Sequence, residues 1–341
     1  MAASSQTMLA FVLFLLNFQC CWPLRLSVEN HEEDVIVSTP KGTFTAGFTS
    51  VGENAYCFGI WFSSSSSDSK TVVWMANRDQ PVNGRRSTLS LLKTGDLVLT
   101  NAAQFNVWST ATLSPNPLEL RLFDNGNLVL RDQTNTTSVF WQSFDFPTDT
   151  LLPGQILTRF TKLVSSRSES NYSSGFYKLF FDNDNVFCLL YEGPQVSSVY
   201  WPDPWLVSNN VGSGNGRSTY NSSRVAVLDE YGHFGASDHF SFKTIDYGLL
   251  LQRRLTLDHD GNVRVYSRQN AQQSWSGNSN RNLVSFMEFV DPIASVVMSQ
   301  RLVESVPVLK GIVGSIVRIG FKKKLKKLIM SFIVIGLNFL K

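Results

Sequence analysis

Leu120–Asp132, LRLFDNGNLVLRD, decides the fold, because the chain repeats it. Leu89–Asn101 reads LSLLKTGDLVLTN and Leu255–Ser267 reads LTLDHDGNVRVYS. Set on Gly126, Gly95 and Gly261, each copy has an alternating apolar run, a short polar turn containing Gly, and a second alternating run. Period-two alternation on both sides of a glycine turn predicts a hairpin with one buried face. Looser copies lie at Tyr177–Tyr191 and Ala226–Ser237, and Trp108, Trp141 and Trp275 follow the three clear copies at nearly equal distance. Such a unit buries its apolar face only against its copies, so the repetition implies a modular all-β protein.

A chain of 341 residues has room for two or more domains. Its 12% aromatic content and 25 Phe suit packed β-structure rather than disorder. Met1–Leu24, with an apolar run from Met8 to Phe18 followed by CCWP, reads as a secretory leader, although Lys and Arg are missing ahead of the run. Asn135, Asn171 and Asn221 each open an N-x-Ser/Thr sequon in a polar, turn-like segment, as a secreted glycoprotein requires. Beyond the leader, Cys57 and Cys188 remain, in the strand-like runs AYCFGIW and VFCLLY. Buried thiols are expected there; a Cys57–Cys188 bridge is the alternative that an oxidising compartment permits.

The net charge of +3 comes from the end of the chain. Residues 310–341 carry eight basic side chains and no acid, which leaves 22 basic against 27 acidic residues, net −5, in the rest. No nucleic-acid face is expected on that acidic body. His31, His233, His239 and His259 are scattered without metal-ligand spacing. Gly212–Gly216 lacks the strand and helix of a phosphate loop, and no kinase catalytic motif occurs. Asp145 and Asp149 read as turn and capping residues. The expectation is a non-enzyme that needs no cofactor or metal.

Three further stretches carry a family resemblance: TVVWMANRDQPV (Thr71–Val82), FDNGNLVLRD (Phe123–Asp132) and WQSFDFPTDTLLPGQ (Trp141–Gln155). With them the chain resembles the bulb-type lectin modules in the extracellular part of plant S-domain (G-type lectin) receptor-like serine/threonine kinases. RRLTLDHDGNVRVYSRQNAQQSW, from Arg253, is similar to the start of the S-locus glycoprotein region of those receptors. The resemblance covers about Leu26 to Trp275 and implies two β-prism modules, each of three small sheets around a pseudo-threefold axis. It divides the chain into leader 1–24, a first lectin domain 25–150, a second lectin-like domain 151–276 and a tail 277–341. It also implies an extracellular, non-catalytic recognition role, with a glycan, a secreted peptide or a partner ectodomain as ligand.

Sugar-binding bulb lectins carry Q-x-D-x-N-x-V-x-Y in each sheet. Amide, carboxylate and hydroxyl converge on mannose hydroxyls while Val packs beneath the sugar. The matching positions are Leu92, Thr94, Asp96, Val98 and Thr100 in the first repeat, then Phe123, Asn125, Asn127, Val129 and Arg131 in the second. In the third they are Asp258, Asp260, Asn262, Arg264 and Tyr266. The third keeps Asp260, Asn262 and Tyr266 but loses Gln and Val, so mannose binding is expected to be weak or absent. Asn125 and Asn127 are the remaining candidates. Loops Ser63–Lys70, Pro194–Ser198 and Asn209–Ser223 are where variable recognition would sit.

After Trp275 the β-pattern stops, and the Cys-rich module expected by resemblance does not follow. Asn280–Ile312 is compatible, codon by codon, with translation of a neighbouring frame that encodes five Cys at EGF-like spacing. The tail therefore reads as a one-frame slip between Ser276 and Asn280. The competing reading is a membrane segment, FKKKLKK (Phe321–Lys327) followed by the mostly apolar Leu328–Leu340. As a helix that run reaches about 20 Å, short of the roughly 30 Å hydrocarbon core. Secretion is expected, with the plasma membrane as the alternative. The alternative functions are the ectodomain fragment of a mispredicted membrane receptor serine/threonine kinase and a secreted mannose-binding lectin. Membrane contact by this chain itself is expected only if the tail is genuine.

Overall fold

The computed structural model describes residues 25–27, 35–63, 70–84, 86–202, 222–270 and 275–277. The leader, His31, Asn221, most of the Ser63–Lys70 and Asn209–Ser223 loops, and the tail beyond residue 277 lie outside those residues.

The first half of the chain holds β1 (Arg25–Ser27), β2 (Val35–Ser38), β3 (Phe44–Gly52), β4 (Ala55–Phe62), β5 (Thr71–Met75), β6 (Thr88–Leu91), β7 (Leu97–Thr100), β8 (Asn106–Ser109), β9 (Leu118–Leu122), β10 (Leu128–Asp132) and β11 (Val139–Gln142). They form three antiparallel sheets, ordered β2-β3-β4-β5, β1-β6-β7-β8 and β11-β10-β9. The second half holds β12 (Thr150–Leu151), β13 (Ile156–Thr158), β14 (Leu163–Ser166), β15 (Ser174–Phe181), β16 (Phe187–Glu192), β17 (Ser197–Trp201), β18 (Val225–Leu228), β19 (His233–Ala236), β20 (Ser241–Lys243), β21 (Gln252–Leu257), β22 (Val263–Arg268) and β23 (Ser276–Gly277). Their sheets are β14-β15-β16-β17, β13-β18-β19-β20 and β12-β21-β22-β23. Apart from one 3₁₀ turn, Ser143–Asp145, the regular structure of the described residues is all β, as the repeats require; the tail, expected to be irregular or partly helical, lies outside them.

All five repeats are hairpins: β6–β7, β9–β10, β15–β16, β18–β19 and β21–β22. They share one turn. In the second, Gly126 N–H donates to Phe123 O at 2.8 Å and Phe123 N–H donates to Asn127 O at 2.9 Å. In the last, Gly261 to Asp258 and Asp258 to Asn262 repeat both bonds at 2.9 Å. This is a type I turn closed by a bulge residue of positive φ, which is 88° at Gly126 and 82° at Gly261. A Cβ at Gly261 would also come within 2.7 Å of the Tyr177 ring, so glycine serves packing as well as backbone there.

Alternation sends one face of every sheet inward, and the inward faces close two cores. Phe44, Phe58, Ile60 and Phe62 from the first sheet meet Leu89, Leu97 and Leu99 from the second and Leu122, Leu128 and Leu130 from the third. Trp74, Trp108 and Trp141, one from each sheet, pack mutually edge to face with centroids 5.7–6.0 Å apart. The second core is built the same way from Leu179 and Leu189, Leu228 and Phe234, and Leu255, Leu257, Val263 and Val265. Adjacent residues divide between the two: Leu151 enters the second core and Leu152 the first.

The halves are tied by side chains from the stretches that carried the resemblance. Asn77 shapes its turn, its amide accepting from Phe58 N–H and donating to Tyr56 and Gln80 carbonyls. That turn aims Arg78 at the Val164 and Ser165 carbonyls (3.0 and 2.5 Å). Asp79 accepts from the backbone and hydroxyl of Ser174 at 2.6 and 2.7 Å. Trp275 does not repeat the role of Trp108 and Trp141. It crosses to the first half, packing on Phe62 at 4.7 Å and donating its indole N–H to Thr71 Oγ1 at 2.8 Å.

The bridge weighed between Cys57 and Cys188 is not formed. Each is a buried thiol, one on β4 and the other on β16, in different sheets of different halves. Burial, then the Asp79 charge, pushes the Cys57 thiol up to about 12.

Candidate functional site

The third repeat places its motif residues together on one face. Along β21 and β22, Leu255, Leu257, Val263 and Val265 point into the second core. Alternation therefore sends Arg254, Thr256, Arg264 and Tyr266 to the opposite face, joined by Asp258 and Asp260 from the turn. Arg254 pairs with Tyr266 across the strands and lies 4.0 Å over its ring.

Arg264 occupies the heart of this site. It stands where a sugar-binding motif has Val, and its guanidinium donates to Asp258 Oδ2 (2.6 Å), Asp260 Oδ1 (3.0 Å) and Asp260 Oδ2 (2.7 Å). Asn262 donates its amide to Asp260 Oδ2 at 3.0 Å, and the Tyr266 hydroxyl donates to Asp258 Oδ2 at 2.7 Å. Burial opposes ionisation of Asp260, yet the Arg264 and Asn262 hydrogen bonds outweigh it and hold the carboxyl below its usual range. Burial, then the Asp258 charge, pushes the Tyr266 phenol up to about 12. The oxygens that would receive sugar hydroxyls are thus engaged by the protein's own guanidinium.

In the other two repeats the motif side chains bond within the protein. Asn127 is buried, donating to Gln142 Oε1 at 2.9 Å and accepting from Ser143 and Phe144, so it anchors the 3₁₀ turn Ser143–Asp145. Asn125 caps its own turn by accepting from Asn127 N–H at 3.1 Å. Arg131 pairs with Glu119 at 2.6 Å and lies over Phe123. In the first repeat Asp96 accepts from Thr110, and Thr100 bonds Thr88. The sequons Asn135 and Asn171 are exposed, each amide oxygen accepting at 2.7 Å from the hydroxyl two residues on, Thr137 and Ser173. The Pro194–Ser198 turn does not line the site.

Beyond Arg264 the third-sheet face opens into a cleft of about 580 Å³ shared by the two halves. Thr71 and Val72 of edge strand β5 form one wall, Ser166, Glu169 and Tyr172 another, and Asp149, Thr150 and Arg254 also line it. Asp145 is a turn residue as expected, accepting from Gln142 at 3.0 Å. Asp149 lies in a bend but is half-buried in the cleft. Burial pushes its pKa up against the pull of Arg78 and Arg254. Its carboxylate accepts from Thr150 Oγ1 at 2.9 Å, and no described Lys or Arg forms a direct ion pair with it. Thr71, Asp149, Tyr172 and Arg254 give no local signal in the sequence, because residues up to 183 positions apart meet only on folding. The role of Arg264 did leave a trace: alternation puts residues 258, 260, 262, 264 and 266 on one face, so an Arg there sits among two Asp.

No group of His, Cys, Asp and Glu among the described residues is arranged to hold a metal ion. No helix among them is long and apolar enough to cross a membrane.

Residues 71–171 match the D-mannose binding lectin family model. The chain is homologous to the lectin region of the G-type lectin S-receptor-like serine/threonine kinases. It is 41% identical over 261 residues to the receptor protein kinase ZmPK1 of Zea mays, a match covering 74% of this chain and 30% of that protein. It is 35% identical over 300 residues to the inactive G-type lectin S-receptor-like kinase SRK of Arabidopsis thaliana, covering 78% and 50%. The matches thus span between about a third and a half of those relatives. Among solved structures, the fetuin-binding two-domain lectin of Scilla campanulata is 17% identical, covering 67% of this chain and 87% of that one, with a TM-score of 0.25.

Proposed function

We propose that this protein is an extracellular, non-catalytic recognition module of carbohydrate-binding type, and that it is not a mannose lectin. The observation that carries the second half is the Arg264 fork across Asp258 and Asp260. A mannose ring needs those acceptors, and the guanidinium holds them with charge-assisted bonds. The lectin family match, the two cores and the cleft between them support the first half. Residues 1–24 act as leader, 25–150 and 151–276 as the two lectin units, and 277–341 as an aberrant, frame-slipped tail. Asn135, Asn171 and Asn221 carry glycans. A secreted peptide or a partner ectodomain remains an alternative ligand class to a glycan.

Passage of the full chain over immobilised mannose and a glycan array tests this reading. Flow-through on mannose with capture by another saccharide supports it; retention on mannose with release by free mannose refutes it. Appearance of the expressed protein in the medium, with glycosidase-sensitive mass at Asn135 and Asn171, tests secretion, and intracellular retention without glycan overturns it.

A further inference from the structure

The motif carboxylates are engaged by Arg264, whereas the cleft beside them is open among the described residues, and its chemistry is selective. Asp258, Asp260 and Arg264 line it already bonded to one another, and beside them stand the Asp149 carboxylate and the Arg254 guanidinium. Asp149 uses an oxygen on Thr150, while Arg254 spends Nη1 on Thr256 Oγ1 at 2.6 Å. Arg254 is held flat between Tyr266 and Trp275, 4.0 and 5.3 Å from their rings, and its Nε is buried without a hydrogen-bond partner among the described residues. This guanidinium is positioned by stacking rather than by an ion pair. Tyr172 stands close enough to Asp149 for the carboxylate charge, after burial, to push its phenol up.

Two considerations pick the ligand. A half-buried carboxylate and a half-buried guanidinium, each without a direct counter-ion among the described residues, gain from a group that donates to one and accepts from the other. A hydroxyl does both. The lining also mixes signs: Asp149 and Glu169 against Lys70 and Arg254, with Arg264 already spent on Asp258 and Asp260. A strongly anionic or cationic ligand would meet repulsion from one set. The tyrosine side chains add apolar faces of the kind sugar rings pack on.

We propose that the cleft between the two lectin units is a binding site for a neutral saccharide, with Asp149 and Arg254 holding its hydroxyls and Tyr172 packing against a ring. This rests on the carbohydrate-type reading above and places the ligand on Asp149, Tyr172 and Arg254 at the seam, in the cleft that the third-repeat motif also lines. Both halves contribute, Thr71 and Val72 from one and Tyr172, Arg254 and Thr256 from the other, so occupancy would be felt by both.

The test is the full glycosylated chain on an array of neutral oligosaccharides (mannans, glucans, galactans) and acidic ones (oligogalacturonides), followed by calorimetry on each hit. Asp149→Asn, Tyr172→Ala and the remote surface variant Phe105→Ser are compared with wild type, with circular dichroism as the fold control. The expected result is a neutral hit weakened at least tenfold by Asp149→Asn and Tyr172→Ala and unchanged by Phe105→Ser. Asp149→Asn removes a half-buried charge without a direct ion pair and should keep the fold, so loss of binding with an unaltered spectrum is a site effect. A neutral hit indifferent to both cleft variants overturns this site and leaves saccharide recognition standing. Acidic hits alone overturn the neutral class, and an array with no hit overturns both readings.

Discussion

Arg264 offers the sharpest test, because two substitutions rebuild the sugar motif. Asp258→Gln with Arg264→Val leaves Gln, Asp260, Asn262, Val and Tyr266 in register on one strand pair. In the wild type a mannose must displace three guanidinium–carboxylate bonds of 2.6–3.0 Å. Hydrogen bonds to charged groups contribute about 1.5–3 kcal/mol each when buried. Arg264, Asp258 and Asp260 are 28%, 16% and 39% exposed, so solvent screens these bonds. A net obstacle of roughly 1.4–2.8 kcal/mol, or about 10- to 100-fold in affinity, follows. Arg264→Val alone is a poorer test, since it leaves two carboxylates facing each other. The sign of the pH effect follows from the lowered Asp260 pKa. In the wild type its contribution to stability is present above the ordinary carboxylate pKa and lost as pH falls through the depressed value. In the single variant the two carboxylates repel when ionised, so stability rises on mild acidification. Titration with methyl α-mannoside by calorimetry reads the affinity. A well-folded double variant that binds mannose no better than wild type refutes the argument that Arg264 excludes the sugar.

Three further outcomes are expected. Gly261→Ala should cost well over 1 kcal/mol in urea unfolding, since φ is positive and a Cβ meets the Tyr177 ring, whereas Gly154→Ala, with positive φ but open space, should cost about 1 kcal/mol. Equal costs would show that the ring contact is relieved for nothing. Arg78→Met removes two donors from the Val164 and Ser165 carbonyls and should destabilise by about 2–4 kcal/mol, with the seam opening first in hydrogen exchange; uniform exchange would count against a clamp. Cys57, buried and with its thiol raised to about 12, should resist alkylation at pH 8 in the native protein and react at once in denaturant. Rapid native labelling at Cys57 would refute its burial.

The all-β class, the five hairpins and their turns were legible along the chain. Alternation and a glycine of positive φ are properties of a dozen neighbouring residues, and they act before any distant contact forms. The degeneracy of the sugar motif was legible too, because it is a matter of residue identity at fixed spacing. Trp275 misled: its distance from the third repeat copies that of Trp108 and Trp141, yet it packs on Phe62 and Thr71 of the other half. Asp149 read as a turn residue and does lie in a bend, but its half-burial in the cleft was not legible. Both were settled only by the packing of the two halves, through contacts such as Trp275 on Phe62 and Thr71. Local periodicity by itself determined the hairpins and the face each residue takes. The closure of three sheets, the seam held by Arg78, Asp79 and Trp275, and the cleft at that seam were decided only by tertiary structure, because burial and charge pairing there join residues that sequence spacing does not relate.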